Sequence, residues 1–491
     1  MRHAIRALIL VMCFATLLAR PAVSQSLGGN TISNAAASPV AYVYVGTSKG
    51  VDLYDAASDG KLTLVKGSPF QTRGLAIGSN GKYFISLGTY YVHSYPVSSA
   101  GAIGKQVSTI DTQSYYGNGQ CGSNNLGTIG LANLNHTGQN LYVLFPNENG
   151  NCDAAIQTYN ISKSGDLTFD GGIMTGTNAG SGLFQAPSII GNDTFAYAAG
   201  DFGCCGLPPG WSGYKTASNG EMQNWAYNLS APNGYVPFYV TADPTNHLAA
   251  IVAYNYGEDS YDPAQLASYT VDSMGNLSTT STAENMPYPQ VNPSILNMSP
   301  SGKLLAVGGY GLQVFHFNGA EPITPYSSVL TTAVINQLHW DNDNHLYALS
   351  EAQTSSALTW SATDATQVKI TGSDGSSYAI GDCTGGCFGY RTVNPTETTT
   401  YTIIGTKVGG GTVFAAATVT VHSDPADRKA LSGSVGNSGA TVSITASPTS
   451  INTFSQLFVY SVTPTSITAA PGSPYALPDP GVNALIVVPK L

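Results

Sequence analysis

Two segments near opposite ends of the 491-residue chain finish alike: LTLVKGSPF at 62–70 and SITAAPGSPY at 466–475. Each follows a short Tyr/Val-rich run, AYVYV and VDLYD in the first case and LFVYSV in the second. A chain that repeats one unit at both ends must pack copies of that unit against each other, and this limits its architecture more than any single motif. Between the two copies helical periodicity is nearly absent. Short runs of Val, Ile, Tyr and Phe alternate with Gly/Asn/Asp/Ser turns, the pattern of an all-β chain.

The turns fall into two families. One joins an apolar strand to a Tyr/Val strand: SNGK (79–82), NHTGQN (135–140), GNDT (191–194), DPTNH (243–247), SPSGK (299–303) and DNDN (341–344). The other leads into a Thr-rich strand: SDGK (58–61), SKSGD (162–166), SNGE (218–221) and SMGN (273–276). Gly and Asn accept the positive φ that tight hairpins demand. With strands named a to d, the clearest unit is 294–328: SILNMS, LLAVGG, LQVFHF and ITPYSS. Four-stranded units of about 50 residues predict a β-propeller. The first unit, starting at AYVYVG, lacks strand a, and NALIVVP (483–489) is an orphan apolar strand that would supply it. The expectation is an all-β, seven-bladed propeller closed by its C-terminal strand, which leaves no open sheet edge in the ring.

The last unit is interrupted. Its strand b ends near Ser350 and its strand c begins at Gln456. Within the gap, 356–422 alternates like a small sandwich around a buried Trp360, and 423–453 reads as a Ser/Gly/Thr linker with at most one or two strands. The expected division is a signal peptide at 1–24, a flexible segment at 25–40, propeller at 41–350, an insert at 351–455 and propeller again at 456–491.

Composition narrows the function classes. Arg2, His3 and Arg6 precede the apolar ALILVMCFATLLA, and Ala22 and Ser24 stand at −3 and −1 of a cleavage site, so the N-terminus reads as a secretory signal. No other run is long enough to predict a membrane span. Losing Arg2, Arg6 and Arg20 takes 18 basic residues to 15, against 28 acidic ones, a net charge of −13. An acidic chain is a poor match for nucleic acid. Charged residues make up only 9%, and polarity rests on Ser, Thr, Asn and 29 Tyr, so an uncharged hydrogen-bonding surface is expected on a monomeric, secreted, periplasmic or cell-surface protein. Cys121, Cys152, Cys204, Cys205, Cys383 and Cys387 remain after cleavage, an even count that favours disulfides in an exported chain. Placement on the expected fold prefers Cys121–Cys152 and a local Cys383–Cys387 pair, which leaves Cys204 and Cys205 either as a strained vicinal Cys204–Cys205 bridge or as two separate thiols.

YVYVGTSKGVDLYDAASDGKLTLVKGSPF and VYSVTPTSITAAPGSPY resemble the lactonase-type, YVTN-repeat seven-bladed propellers, over about 41–350 and 455–490. WSATDATQVKI and NPTETTTYTI are similar to bacterial immunoglobulin-like modules. The resemblance implies a propeller with an inserted immunoglobulin-like sandwich, and an activity such as 6-phosphogluconolactone hydrolysis. The stretch IGLANLNHTGQNLYVLFPNENGNCDAAIQTY, however, carries neither the paired His nor the Asp/Arg loop of the lactonase members.

In a propeller, b–c and d–a connections share one face, and every long connection recognised here falls there: 112–127, 146–154, 200–213, 255–265 and the insert. Long loops usually persist for a purpose. Candidate ligand residues on this face are Arg73, Tyr115, Tyr116, Glu148, Asp201, Phe202, Trp211, Tyr256, Glu258, Asp259 and Tyr261. Aromatic rings beside polar side chains suit an extracellular glycan or a protein partner, and no cofactor is expected. Glu258, Asp259 and Asp262 are weak candidates for a cation. Asp341-Asn342-Asp343-Asn344 reads as a turn, and His247, His339 and His345 as structural histidines. The rival reading, a lactonase-like hydrolase, would draw acid and base from Arg73, Glu148, Asp153, Asp201, Glu258 or Asp259.

Overall fold

The computed structural model describes residues 38–490, apart from 89–90, 113–131, 146–154, 175–181, 202–209, 226–231, 233, 256–261, 343, 351–354, 384, 408–409, 423–441, 448–449, 453–454, 478–481 and 483. All regular structure in the described residues is β. None of them forms a helix long and apolar enough to cross a membrane.

The strands form successive antiparallel sheets in chain order, the organisation of a β-propeller. Outside the insert there are seven sheets among the described residues. The inner strands alternate between two buried faces. Along Ala41–Thr47, Tyr42 and Tyr44 pack towards the second sheet, while Ala41, Val43 and Val45 pack towards the last. The same alternation recurs around the molecule, so that an apolar cluster fills each gap between consecutive sheets. The final gap packs Tyr347, Leu349 and Val459 against Ala41, Val43 and Leu485, which brings the series back to its start.

The first sheet is completed from the other end of the chain. Strand Ala484–Pro489 lies antiparallel to Ala41–Thr47, with Val43 opposite Val487 and Tyr44 opposite Ile486. The two GSP segments take equivalent places. The Ser68 hydroxyl accepts from the Leu53 amide at 3.1 Å, and that of Ser473 from the Val459 amide at 2.8 Å. Both Ser–Pro peptide bonds are cis.

The turns before the Thr-rich strands join one sheet to the next. Tyr44, Tyr142 and Tyr197 donate their phenol protons to the carbonyls of Gly101, Gly220 and Gly275, at 2.8, 2.8 and 2.6 Å. Burial holds these phenols well above their ordinary pKa, so they stay protonated donors. Gly165 shows why such a turn needs glycine. Its φ is 87°, and a Cβ there would lie 2.2 Å from the Tyr83 ring of the preceding sheet.

Asp341 closes its turn as a capped hairpin. Its carboxylate accepts from the His345 amide at 3.0 Å and contacts His345 Nδ1 at 2.6 Å. Burial pushes the Asp341 pKa up, but the bonds from His345 and Asn342 outweigh this and hold it below the ordinary carboxylate range. Asp243 and His247 repeat the arrangement two sheets earlier, at 3.1 Å.

The insert is a sandwich of two sheets. One pairs Ser356–Ala362 with Cys387–Val393 and Val442–Ser447; the other contains Ser377–Cys383, Ala365–Gly372, Thr399–Lys407, Thr412–His422 and Ser450–Asn452. Leu358, Ile370, Tyr401, Ile403 and Ile444 lie in the core between them. Two strands, Val442–Ser447 and Ser450–Asn452, fall within 423–453 and pair into these sheets, with Val442, Ile444 and Ala446 supplying an inward row that their Ser/Thr neighbours obscure in the sequence. Trp360 is half-buried, packed on this core rather than within it. Cys383 and Cys387 form the expected disulfide, with Cα atoms 5.2 Å apart.

Gly165→Ala is expected to destabilise the fold by about 2–4 kcal/mol, from the positive φ plus the clash with Tyr83. Gly375→Ala in the insert, where φ is also positive but nothing lies within 4 Å, should cost less than half as much in denaturant unfolding. Equal losses would contradict the joint between sheets. A second expectation concerns His339 on strand Gln337–Trp340, whose pKa burial lowers from 6.5 to about 4. The unfolded chain then takes up a proton that the folded chain refuses, so this residue's contribution to stability falls as pH drops from about 6.5 towards 4. Unfolding of His339→Gln should show a shallower acid dependence than wild type over that range.

Candidate functional site

The fifth sheet brings four pieces of backbone to the loop face. Strand Tyr235–Ala242 begins there, His247–Tyr254 ends there, Gln265–Val271 begins there, and the crossover 279–291 passes over them. Tyr235 and Tyr254 are cross-strand partners whose rings meet edge-on, 5.5 Å between centroids. Gly234 makes this possible: at φ 81°, a Cβ would stand 2.4 Å from the Tyr254 ring. The Tyr235 phenol donates to Gln265 Oε1 at 2.8 Å. Gln265, fully buried, in turn donates to the carbonyls of Ala283 and Met286 at 3.1 and 2.9 Å. One buried amide thus ties the tyrosine pair to the crossover.

That crossover carries Tyr288, 56% exposed, and the exposed Glu284. Asp262 reaches the same place through its amide, which donates to the Tyr254 carbonyl at 3.0 Å. Burial raises the Tyr235 pKa, and Tyr288, Asp262, Glu284 and Tyr254 raise it further, which places all five groups within electrostatic reach. A hydrogen bond from the Thr282 hydroxyl holds the Glu284 carboxyl below its ordinary range, so it is ionised at neutral pH. The result is a patch of three phenol rings and two carboxylates. Such a patch stacks on apolar ring faces, accepts hydrogen bonds from hydroxyls and attracts cations. Exposed Tyr91 and Tyr310 stand at the same face on the second and sixth sheets.

The residues expected from sequence fare unevenly. Arg73 is exposed on the loop face, where its amide donates to Tyr95 Oη at 2.8 Å and its carbonyl accepts from Ser86 Oγ at 2.5 Å. Beside it sits His93, 4% exposed, with Nδ1 2.7 Å from Thr109 Oγ1. Burial lowers the His93 pKa, and Arg73 lowers it further. This pair belongs to the second sheet, apart from the tyrosine patch. Trp211 is not an exposed platform: it is 8% exposed and packs edge-on against Tyr269 of the fifth sheet at 4.9 Å. It begins an inward-facing strand, so its ring fills the gap between sheets. Asp201 ends strand Phe195–Asp201, and its side chain lies outside the described residues, as do Tyr115, Tyr116, Glu148, Phe202, Tyr256, Glu258, Asp259, Tyr261, Cys121, Cys152, Cys204 and Cys205. Among the described residues no group of three His, Cys, Asp or Glu side chains is arranged to hold a metal.

Tyr235, Tyr288, Glu284 and His93 escaped the sequence reading. The signal for two of them was the length of the 279–291 connection, which matches that of the 200–213 and 255–265 connections.

No protein-family model matches the chain, and no curated protein matches it in sequence. Among solved structures it is similar to a periplasmic gluconolactonase, PpgL, of Pseudomonas aeruginosa, at 14% identity over 59% of this chain and 95% of that one, with a TM-score of 0.31. A luciferin-regenerating enzyme is similar at 12% identity over 57% and 83%, TM-score 0.32. The RRP9 WD40 repeats are similar at 12% over 63% and 87%, TM-score 0.34. At these TM-scores the similarities add nothing to the topology described above.

Replacing Arg73 by Gln removes the like charge facing His93 and leaves burial as the larger cause of its shift. In NMR titration His93 of the wild type should lose its proton below the ordinary 6.5, and in Arg73→Gln its midpoint should move up without reaching that value. An unchanged midpoint would contradict their coupling.

Proposed function

We propose that the protein is an exported, seven-bladed propeller of the lactonase-like YVTN-repeat type that binds an extracellular glycan or protein through its loop face and does not turn it over. Its insert is an immunoglobulin-like module within the last blade. The reading rests on the Tyr235–Tyr254–Tyr288 patch with Asp262 and Glu284, which offers stacking faces and acceptors. The Cys383–Cys387 disulfide suits an oxidising compartment. The chain's net charge of −10 argues against a nucleic-acid partner, and the protein acts as a monomer in this reading.

Lactonase-like hydrolysis is the second reading, favoured by one observation: His93, kept neutral by burial, stands beside the cationic Arg73. A neutral imidazole next to a guanidinium can accept a proton near a polarised carbonyl.

A glycan array probed with the mature protein separates the two. Binding readings expect saturable signal on a small glycan set, reduced about tenfold by Tyr288→Ala, the effect of losing about 1.4 kcal/mol of stacking. Turnover of a lactone panel that disappears in His93→Gln, with no glycan signal, would instead establish the hydrolase.

A further inference from the structure

The strand Cys387–Val393, on the edge of the insert's three-stranded sheet, presents two aromatic rings to solvent. Phe388 is 90% exposed and Tyr390 78%. Residues two apart on a strand share one face, so the rings stand side by side about 6.6 Å apart along the chain. The alternate residues anchor the strand from below. Cys387 is bonded to Cys383, Gly389 lies under Trp360 with no room for a Cβ (2.6 Å), and the Arg391 guanidinium sits 4.2 Å from the Tyr378 ring centre. The rings therefore project from a fixed strand rather than a loop.

Among the described residues, the rows around them carry no charge. Phe388 is in register with Ser361 and Ser443, whose hydroxyls are 2.8 Å apart, and Tyr390 with Thr359; Thr392 and Ala357 continue the rows. Two further features decide the occupant. Pairing of this edge with a second copy is opposed by Arg391, an exposed charge on the edge strand of the kind that guards natural sheet edges. A charged partner finds no counter-charge among the described residues of the face, and a polyanion meets a chain of net charge −10. What remains complementary is an uncharged, extended surface with apolar faces and many hydroxyls.

We propose that the outer face of this sheet is a second binding site, a platform for a neutral polysaccharide, on which Phe388 and Tyr390 stack against sugar rings while Ser361, Thr359 and Ser443 bond to hydroxyls. It is separate from the tyrosine patch of the propeller and does not depend on it.

The test is retention of the mature protein on suspended microcrystalline cellulose and chitin, with immobilised heparin as the charged control. Wild type should be retained on at least one neutral polymer and not on heparin. Phe388→Ala/Tyr390→Ala should lower the partition coefficient at least tenfold with an unchanged melting temperature, since both side chains are exposed. Retention on neither neutral polymer overturns the proposal, as does a double variant retained like wild type. If only Tyr288→Ala abolishes retention, the loop face is the polysaccharide site and the insert is not. A wild-type dimer in sedimentation that the double variant breaks, without polymer retention, assigns the face to self-association and overturns the platform.

Discussion

The antiparallel pairing of Ala41–Thr47 with Ala484–Pro489 decides whether the rest of the molecule can exist as it does. Without it, the first sheet exposes an edge and the last inter-sheet gap loses Leu485. The inner strands of the other described sheets are buried on two faces, because their side chains alternate between the neighbour before and the neighbour after. Such an arrangement is stable only if the series returns to its start, since open ends would expose apolar rows of Tyr, Val and Ala. The pairing also makes stability a property of the whole chain: residues about 440 positions apart must meet before the first and last sheets are complete.

Closure explains how an insert can sit in the last sheet. Ser350 and Gln456 are directly paired, so the strands on either side of the interruption meet as if nothing lay between them. The sandwich has its own core and its own disulfide, and its demands on the propeller reduce to two adjacent chain ends. It carries the exposed rings of Phe388 and Tyr390 on a strand of its own outer face.

Much of the architecture was legible because each turn repeats a local requirement. Glycine in the SKSGD turn answers to both a positive φ and the Tyr83 ring, and the GSP endings mark serines that cap the same amide in two sheets. The orphan NALIVVP strand was readable as the missing partner of AYVYV for the same reason. The site was less legible. Tyr235, Tyr254, Tyr288 and Glu284 come from two strands and a crossover spread over about 50 residues, and the buried Gln265 that unites them looks like any polar strand residue. Trp211 misled in the opposite sense: adjacency to a Cys/Gly-rich loop suggested exposure, whereas strand alternation turned its ring towards Tyr269. Sequence fixes which residues alternate; which loops converge depends on the angle between sheets, which no local pattern records.

The most direct test of the closed ring is a cross-link between the chain's two ends. Val43 and Val487 face each other across the terminal pair. Val43→Cys/Val487→Cys should form a disulfide on oxidation, seen by mass spectrometry of unreduced peptides, and should raise the unfolding midpoint by closing almost the whole chain. The off-register Val43→Cys/Ile486→Cys should not cross-link, because its side chains point to opposite faces. Cross-linking of the second pair in preference to the first, or of neither, would contradict the closure on which the account stands.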